Sequence, residues 1–161
     1  MRIRPATAAD RQAIVDITLQ VFRPVSIDAA IEAQFGRLRE TDWRDRKRRD
    51  VETDLQDNLP GCFVAEEAGR VVGYVTTAVD AEAGVGSIHS LAVAAAQQGK
   101  KLGKALVTHA FDYFEALGLE HSRIETTTTN EVGMRFYPSM GYREVARKIY
   151  YFMDLKDRKD R

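Results

Sequence analysis

Residues 87–142 decide the fold: SIHSLAV (87–93), AAAQQGKKLGKAL (94–106), an amphipathic run to Gly118, then RIETTTT (123–129) and NEVGMRFYPSMGY (130–142). An apolar strand runs into a short turn containing glycine and lysine, and the turn opens directly into a helix. Such a turn aims a row of unpaired backbone N–H groups and the positive helix end at one spot. It predicts an anion site, and phosphate is the anion that suits it best. In the next strand-to-helix unit Asn130 starts the helix, Tyr137 follows seven residues later, and Gly141-Tyr142 closes it.

Working outward, Leu102, Leu106, Ala110, Tyr113 and Leu117 share one helix face, with Gly118 as C-cap and Leu119 as its apolar partner. Residues 123–129 are rich in β-branched side chains and read as a strand. Asn130 is an N-cap, and Pro138 removes a donor from the last turn of its helix. Residues 142–146 and 149–155 read as a closing antiparallel pair. Upstream, 85–93 is a strand, and 61–66 with 70–79 form a hairpin about the turn at 67–69. Residues 2–5 make a short first strand, and Thr7 with Asp10 form a capping box for a helix carrying Ile14, Ile17 and Val21. Pro24 stops that helix. Residues 26–48 read as one weaker helix, with Ile27, Ile31, Phe35 and Leu38 in line and Trp43 beyond. The order β, α, α, β, β, β, α, β, α, β, β predicts an α+β fold with a mixed sheet.

At 161 residues the chain is expected to form one domain over 1–155, followed by a charged tail at 156–161. Apolar residues make up 44% and charged residues 30%, with 24 basic against 24 acidic, the composition of a soluble globular protein. That balance argues against nucleic acid as a partner. Five of the six residues at 44–49 are basic, which reads as a solvated helix end. Cys62 is the single cysteine, so an internal disulfide and multi-cysteine metal sites are excluded, and its setting in GCFVA suits a small buried hydrophobe. His89, His109 and His121 lack metal-ligand spacing, so no metal is expected. No run approaches a membrane span and the start carries no apolar signal core, which predicts a cytoplasmic protein.

The turn and the unit after it resemble the GCN5-related N-acetyltransferase superfamily, over most of the chain and most strongly from residue 88 to 142. The family turn follows Gln/Arg-x-x-Gly-x-Gly/Ala, and Gln98, Gly99, Lys100, Lys101, Leu102 and Gly103 occupy it, with Lys101 where the first patterned glycine stands. The resemblance implies a GNAT-like fold, a largely antiparallel sheet with splayed middle strands and flanking helices. It implies acetyl-CoA as co-substrate, an amine of a small molecule or peptide as acceptor, and direct attack in a ternary complex. It is compatible with a homodimer. Backbone N–H groups of residues 99–104 would hold the pyrophosphate, with Lys100, Lys101 and Lys104 adding charge. Leu91, Ala92 and Val93 would lie along the pantetheine arm, and Asn130 would contact the cofactor as well as cap its helix.

Tyr137 matches the tyrosine that protonates the leaving thiolate in many members, and a phenol, protonated at neutral pH, suits that task. For the base, Glu125 matches the glutamate of the ribosomal-protein N-terminal acetyltransferase branch, and His89 in the preceding strand is the second candidate. The bland readings are an exposed strand carboxylate for Glu125, a surface or core histidine for His89 and a core aromatic for Tyr137. Acceptor choice is expected to lie in residues 25–50 and 147–152. The alternative function is a non-catalytic acyl-CoA sensor that keeps the cradle without a working acid and base.

Overall fold

The computed structural model describes residues 1–160. Five strands, β1 (Arg2–Pro5), β2 (Phe63–Glu67), β3 (Arg70–Asp80), β4 (Val85–Val93) and β5 (His121–Ile124), form one sheet in chain order. All neighbours are antiparallel except β4 and β5, which are parallel. The β2–β3 hairpin turns on Ala68 (φ 48°) and Gly69 (φ 74°), both left-handed as a two-residue turn between right-twisted strands requires.

Helices α1 (Arg11–Val21), α2 (Ile27–Phe35) and α3 (Trp43–Asp57) precede β2, α4 (Leu102–Ala116) joins β4 to β5, and α5 (Glu131–Ser139) follows β5. Helices α1 and α3 cover one sheet face, packing Ile14, Val15, Val51 and Leu55 against Val64, Tyr74 and Ala92. Helix α4 covers the other with Leu106, Val107, Ala110 and Phe114 against Phe63, Val75 and Ile88. Any Cβ at Gly86 would run into the Phe114 ring, so that glycine sets how closely α4 can approach β4. The capping box at the first helix forms as expected, Asp10 accepting from the Thr7 N–H at 2.8 Å while also receiving both Arg4 guanidinium nitrogens.

Three expectations are corrected. The single helix over 26–48 is two helices: Gly36 (φ 73°) ends α2, and α3 starts from its own capping box of Asp42 and Asp45 and runs on to Asp57. The basic run lies inside α3, where Arg46 pairs with Asp28 at 2.8 Å and Lys47 sits 4.4 Å from the Phe22 ring. Second, the strand over 123–129 is shortened to His121–Ile124, because β4 offers no partner beyond Ile88. Third, the closing pair at 142–146 and 149–155 is absent. With β5 ending at Ile124 there is no template for it, and the arm forms no strand and is largely exposed, Val145 at 96%. The arm touches the body through the Tyr142 hydroxyl and Ser122 at 2.6 Å, Lys148 on Glu125, and Phe152 edge-on to Phe35 at 4.9 Å. Its Tyr150, Tyr151 and Phe152 line a pocket with Ile27, Ile31 and Phe35.

Candidate active site

The cleft originates in the register of β4. Thr76 of β3 pairs with Ser90 and Thr77 with Ile88, which leaves His89 as an extra residue on β4, a β-bulge. The β4–β5 ladder ends at the same level, with Ile88 opposite Ile124. Beyond it β4 continues to Val93 paired with β3 alone, so the other backbone edge of His89, Ser90, Leu91, Ala92 and Val93 carries no ladder. This is the splay expected of the middle strands. An unpaired strand edge is a ready partner for an extended, amide-containing ligand.

That edge leads into the turn. Gln98 reaches back to donate to the Val93 carbonyl at 3.2 Å, Gly99 takes φ 81°, and Lys100 is tied to Gln97 at 2.6 Å. Lys101 occupies the left-handed region (φ 63°, ψ 16°) as the residue preceding α4. The first helical bond of α4 runs from the Ala105 N–H to the Lys101 carbonyl, leaving the N–H groups of Leu102, Gly103 and Lys104 without a helical acceptor. Nothing lies within 4 Å of where a Cβ on Gly99 would sit, and at Gly103 only the Phe136 ring comes close, at 3.7 Å. The turn therefore presents free donors and open space, which fits a pyrophosphate.

Asn130 caps α5, accepting from the Gly133 N–H at 3.0 Å while its amide donates to Thr126 at 2.9 Å. Both ends of its side chain are engaged locally, so its structural role is complete without a ligand. Tyr137, on α5, is half-buried between Phe136 and Tyr142, and its hydroxyl has no protein partner among the described residues. Burial pushes its phenol up to about 12, with Tyr142 adding to the effect. At neutral pH the phenol is protonated, and the shift makes it a weaker acid than an exposed tyrosine.

The two base candidates differ in their surroundings. Glu125 is 71% exposed and its carboxylate meets Lys148 Nζ at 2.6 Å. The Lys148 hydrogen bond, with the charges of Lys148 and Arg123 adding to it, holds its carboxyl below the ordinary range and weakens it as a base. His89 projects from the bulge toward α3, its Nδ1 2.9 Å from Asp54 Oδ1. The second Asp54 oxygen accepts from the Thr76 hydroxyl at 2.7 Å. Asp54 lies 35 residues before His89 and was not among the residues singled out from the sequence. The available signal was its place on α3 beside Leu55 and one turn from Val51, where a carboxylate is held against the sheet. Cys62 is buried, with its thiol pushed up to about 11 by burial, which agrees with a packing role. Among the described residues no cluster of His, Cys, Asp and Glu is placed to hold a metal, and no helix is long and apolar enough to cross a membrane.

Known proteins share both sequence and architecture with this chain. The model of the Acetyltransferase (GNAT) family matches residues 26–142. A mycothiol acetyltransferase of Streptomyces avermitilis is 30% identical over an alignment of 136 residues that covers 78% of this chain and 42% of that protein. An uncharacterized N-acetyltransferase of Methanocaldococcus jannaschii is 39% identical over 100 residues, 61% of this chain and 63% of the other. The chain thus spans less than half of the first relative's length and under two thirds of the second's. Among solved structures, the ribosomal-protein-S18-alanine N-acetyltransferase of Escherichia coli superimposes with a TM-score of 0.68 at 20% identity, covering 93% of this chain and 83% of that one. The PaiA N-acetyltransferase of Thermoplasma acidophilum, solved with coenzyme A, gives 0.68 at 16% identity and covers 86% and 87%. These likenesses at low identity establish the fold, and the family match spans it from the cap of α2 to the end of α5: the chain belongs to the GNAT family of acetyltransferases.

Proposed function

We propose that this protein is an acetyl-CoA-dependent N-acetyltransferase that passes the acetyl group to a primary amine of a small molecule or peptide, by direct attack within a ternary complex. The observation that carries the reading is the parting of β4 and β5 at His89, which opens a free strand edge leading straight to the unpaired donors of residues 99–104. Phosphates would be held by the N–H groups of Leu102, Gly103 and Lys104 and the turn before them, with Lys100, Lys101 and Lys104 supplying charge. Leu91, Ala92 and Val93 would bind the amide-bearing arm along their open edge, and an N–H there would face the thioester oxygen. The names of the relatives, all acetyltransferases, support the same chemistry.

In this scheme His89 Nε2 takes the proton that the amine gives up as its nitrogen bonds to the acetyl carbon. Tyr137 gives its proton to the sulfur as the carbon–sulfur bond breaks. His89 is preferred to Glu125 because Lys148 already occupies that carboxylate. The test is free-thiol release from acetyl-CoA with polyamines, aminoglycosides, amino acids and peptide N-termini, including acceptors with aliphatic or aromatic groups to suit the pocket between α2 and the arm. Thiol release that depends on an added amine is expected. Tight coenzyme A binding with no amine accelerating thiol release would replace the enzyme reading with that of a sensor.

A further inference from the structure

We infer that Asp54 is a positioning residue for catalysis: by accepting from Nδ1 of His89 it fixes the neutral imidazole as the Nδ1–H tautomer and leaves the Nε2 lone pair open toward the cleft. The inference rests on the reading of His89 as the base. A carboxylate has no proton to donate at neutral pH, so a 2.9 Å contact between Asp54 Oδ1 and His89 Nδ1 requires the hydrogen to sit on that ring nitrogen. Nε2 has no partner among the described residues, and the side chain is 44% exposed. The free end of the ring therefore faces open space.

The carboxylate is itself held in place. Its other oxygen takes the Thr76 hydroxyl at 2.7 Å, Thr76 is fully buried, and α3 is anchored on either side of Asp54 by buried Val51 and Leu55. Two acceptor contacts fix the plane of the carboxylate and, through it, the ring. The bulge contributes the other half of the geometry, since a regular β4 would leave no unpaired residue at this level. An exposed His–Asp clasp kept for stability would contribute about 0–1 kcal/mol and has no need of a strand irregularity. Its position where β4 and β5 part is what such a clasp leaves unexplained.

The test combines a spectroscopic and a kinetic readout. Nitrogen NMR of histidine-labelled protein without substrate reports which ring nitrogen carries the hydrogen, at about pH 9 where imidazoles are neutral, with the His89 signal assigned from a His89→Gln sample. Wild type is expected to show Nδ1–H at His89. In Asp54→Ala nothing accepts from Nδ1, so the expected form shifts to Nε2–H, which an unrestrained neutral histidine favours. The same variant should lower kcat for amine acetylation by about 10²-fold, the range of a general base, with KM for acetyl-CoA unchanged. Adding His89→Gln to it should cost little more, because the two residues act as one unit. Asp54→Leu serves the same purpose if the alanine variant does not fold. The inference is overturned by Nε2–H in wild type, or by an Asp54 variant that keeps its tautomer or its rate. If the tautomers behave as expected and wild type acetylates no amine, the fixing of the ring stands and its catalytic purpose falls with the enzyme reading.

Discussion

Replacing Lys101 with glycine should make this protein more stable and a poorer binder of coenzyme A. Lys101 sits at φ 63° and ψ 16°, where a side chain costs about 1–2 kcal/mol relative to the right-handed region. Its charge also stands at the positive end of α4, an unfavourable term of about 0.3–1 kcal/mol. Against these, glycine loosens the unfolded chain by about 0.4–1 kcal/mol. The balance favours Lys101→Gly by roughly 1 kcal/mol, a rise in Tm of about 2–4 °C for a chain of this length. The same charge would face the phosphates, so calorimetric titration should show affinity for coenzyme A falling by about 2–5-fold, as for one exposed ion pair, with a shallower dependence on salt. Lys101→Asn, which tolerates the left-handed region, should lose the same affinity and gain less stability. A glycine variant that melts at or below the wild-type temperature would show that the turn stores no strain. One with full affinity would remove Lys101 from the phosphate site.

Tyr137→Phe should slow turnover by about 10²-fold with binding of acetyl-CoA nearly unchanged, since in the proposed scheme the phenol would act only as thiolate departs; a wild-type rate in the folded variant would reduce Tyr137 to packing. Steady-state kinetics should place Glu125→Gln within a few-fold of wild type, its carboxylate being engaged by Lys148, while His89→Ala loses about 10²-fold or more; the reverse order would return the base to Glu125. Gly103→Val, placed where a Cβ would meet nothing nearer than the Phe136 ring at 3.7 Å, should fold and yet bind coenzyme A at least ten-fold more weakly by roughly screening the donors, and calorimetry showing full affinity would misplace the cradle. The Arg4 guanidinium, with the Thr7 N–H and hydroxyl, holds the nearly buried Asp10 carboxyl down to about 2 from 3.8, so the folded state favours the carboxylate. That stabilisation, about 2 kcal/mol, is present above about pH 4 and is lost as pH falls toward 2, so denaturation of Asp10→Asn should differ from wild type at pH 7 and converge with it in acid.

The parts of the site legible in the sequence are those that local backbone chemistry specifies. The turn at 98–103, the Asn130 cap, the Gly118 C-cap (φ 74°) and the Ala68–Gly69 hairpin turn depend on residues within a few positions of each other. What was not legible depends on distant partners. Residues 125–129 have strong β propensity, yet a strand needs a neighbour, and β4 has parted from β5 by then. Helix α3 reads as a charged run because its buried set, Trp43, Val51 and Leu55, is sparse, and the charges find their partners on α2 and in the α2–α3 connection. The Asp54–His89 contact joins two elements whose proximity only the packed sheet establishes. Lys101 was visible as a departure from the glycine pattern, and the structure shows that the site does take the backbone conformation glycine prefers.

The irregularity at His89 also changes the phase of its strand. Gly86 and Ile88 pack toward α4, whereas Ser90 bonds to Tyr74 on the opposite side and Ala92 joins the cluster under α1 and α3. Four even-numbered positions thus serve two different faces, and His89 is the point at which the alternation flips. As the extra residue there it owes nothing to either core, so its side chain can be exchanged without repacking. Removing the residue outright would make Ser90 the neighbour of Ile88 and restore plain alternation, with Ile88 and Leu91 toward α4 and Ser90 and Ala92 toward α1 and α3 as they already stand. Both the identity of the side chain at this place and the bulge that presents it are thereby uncoupled from the packing of the two cores.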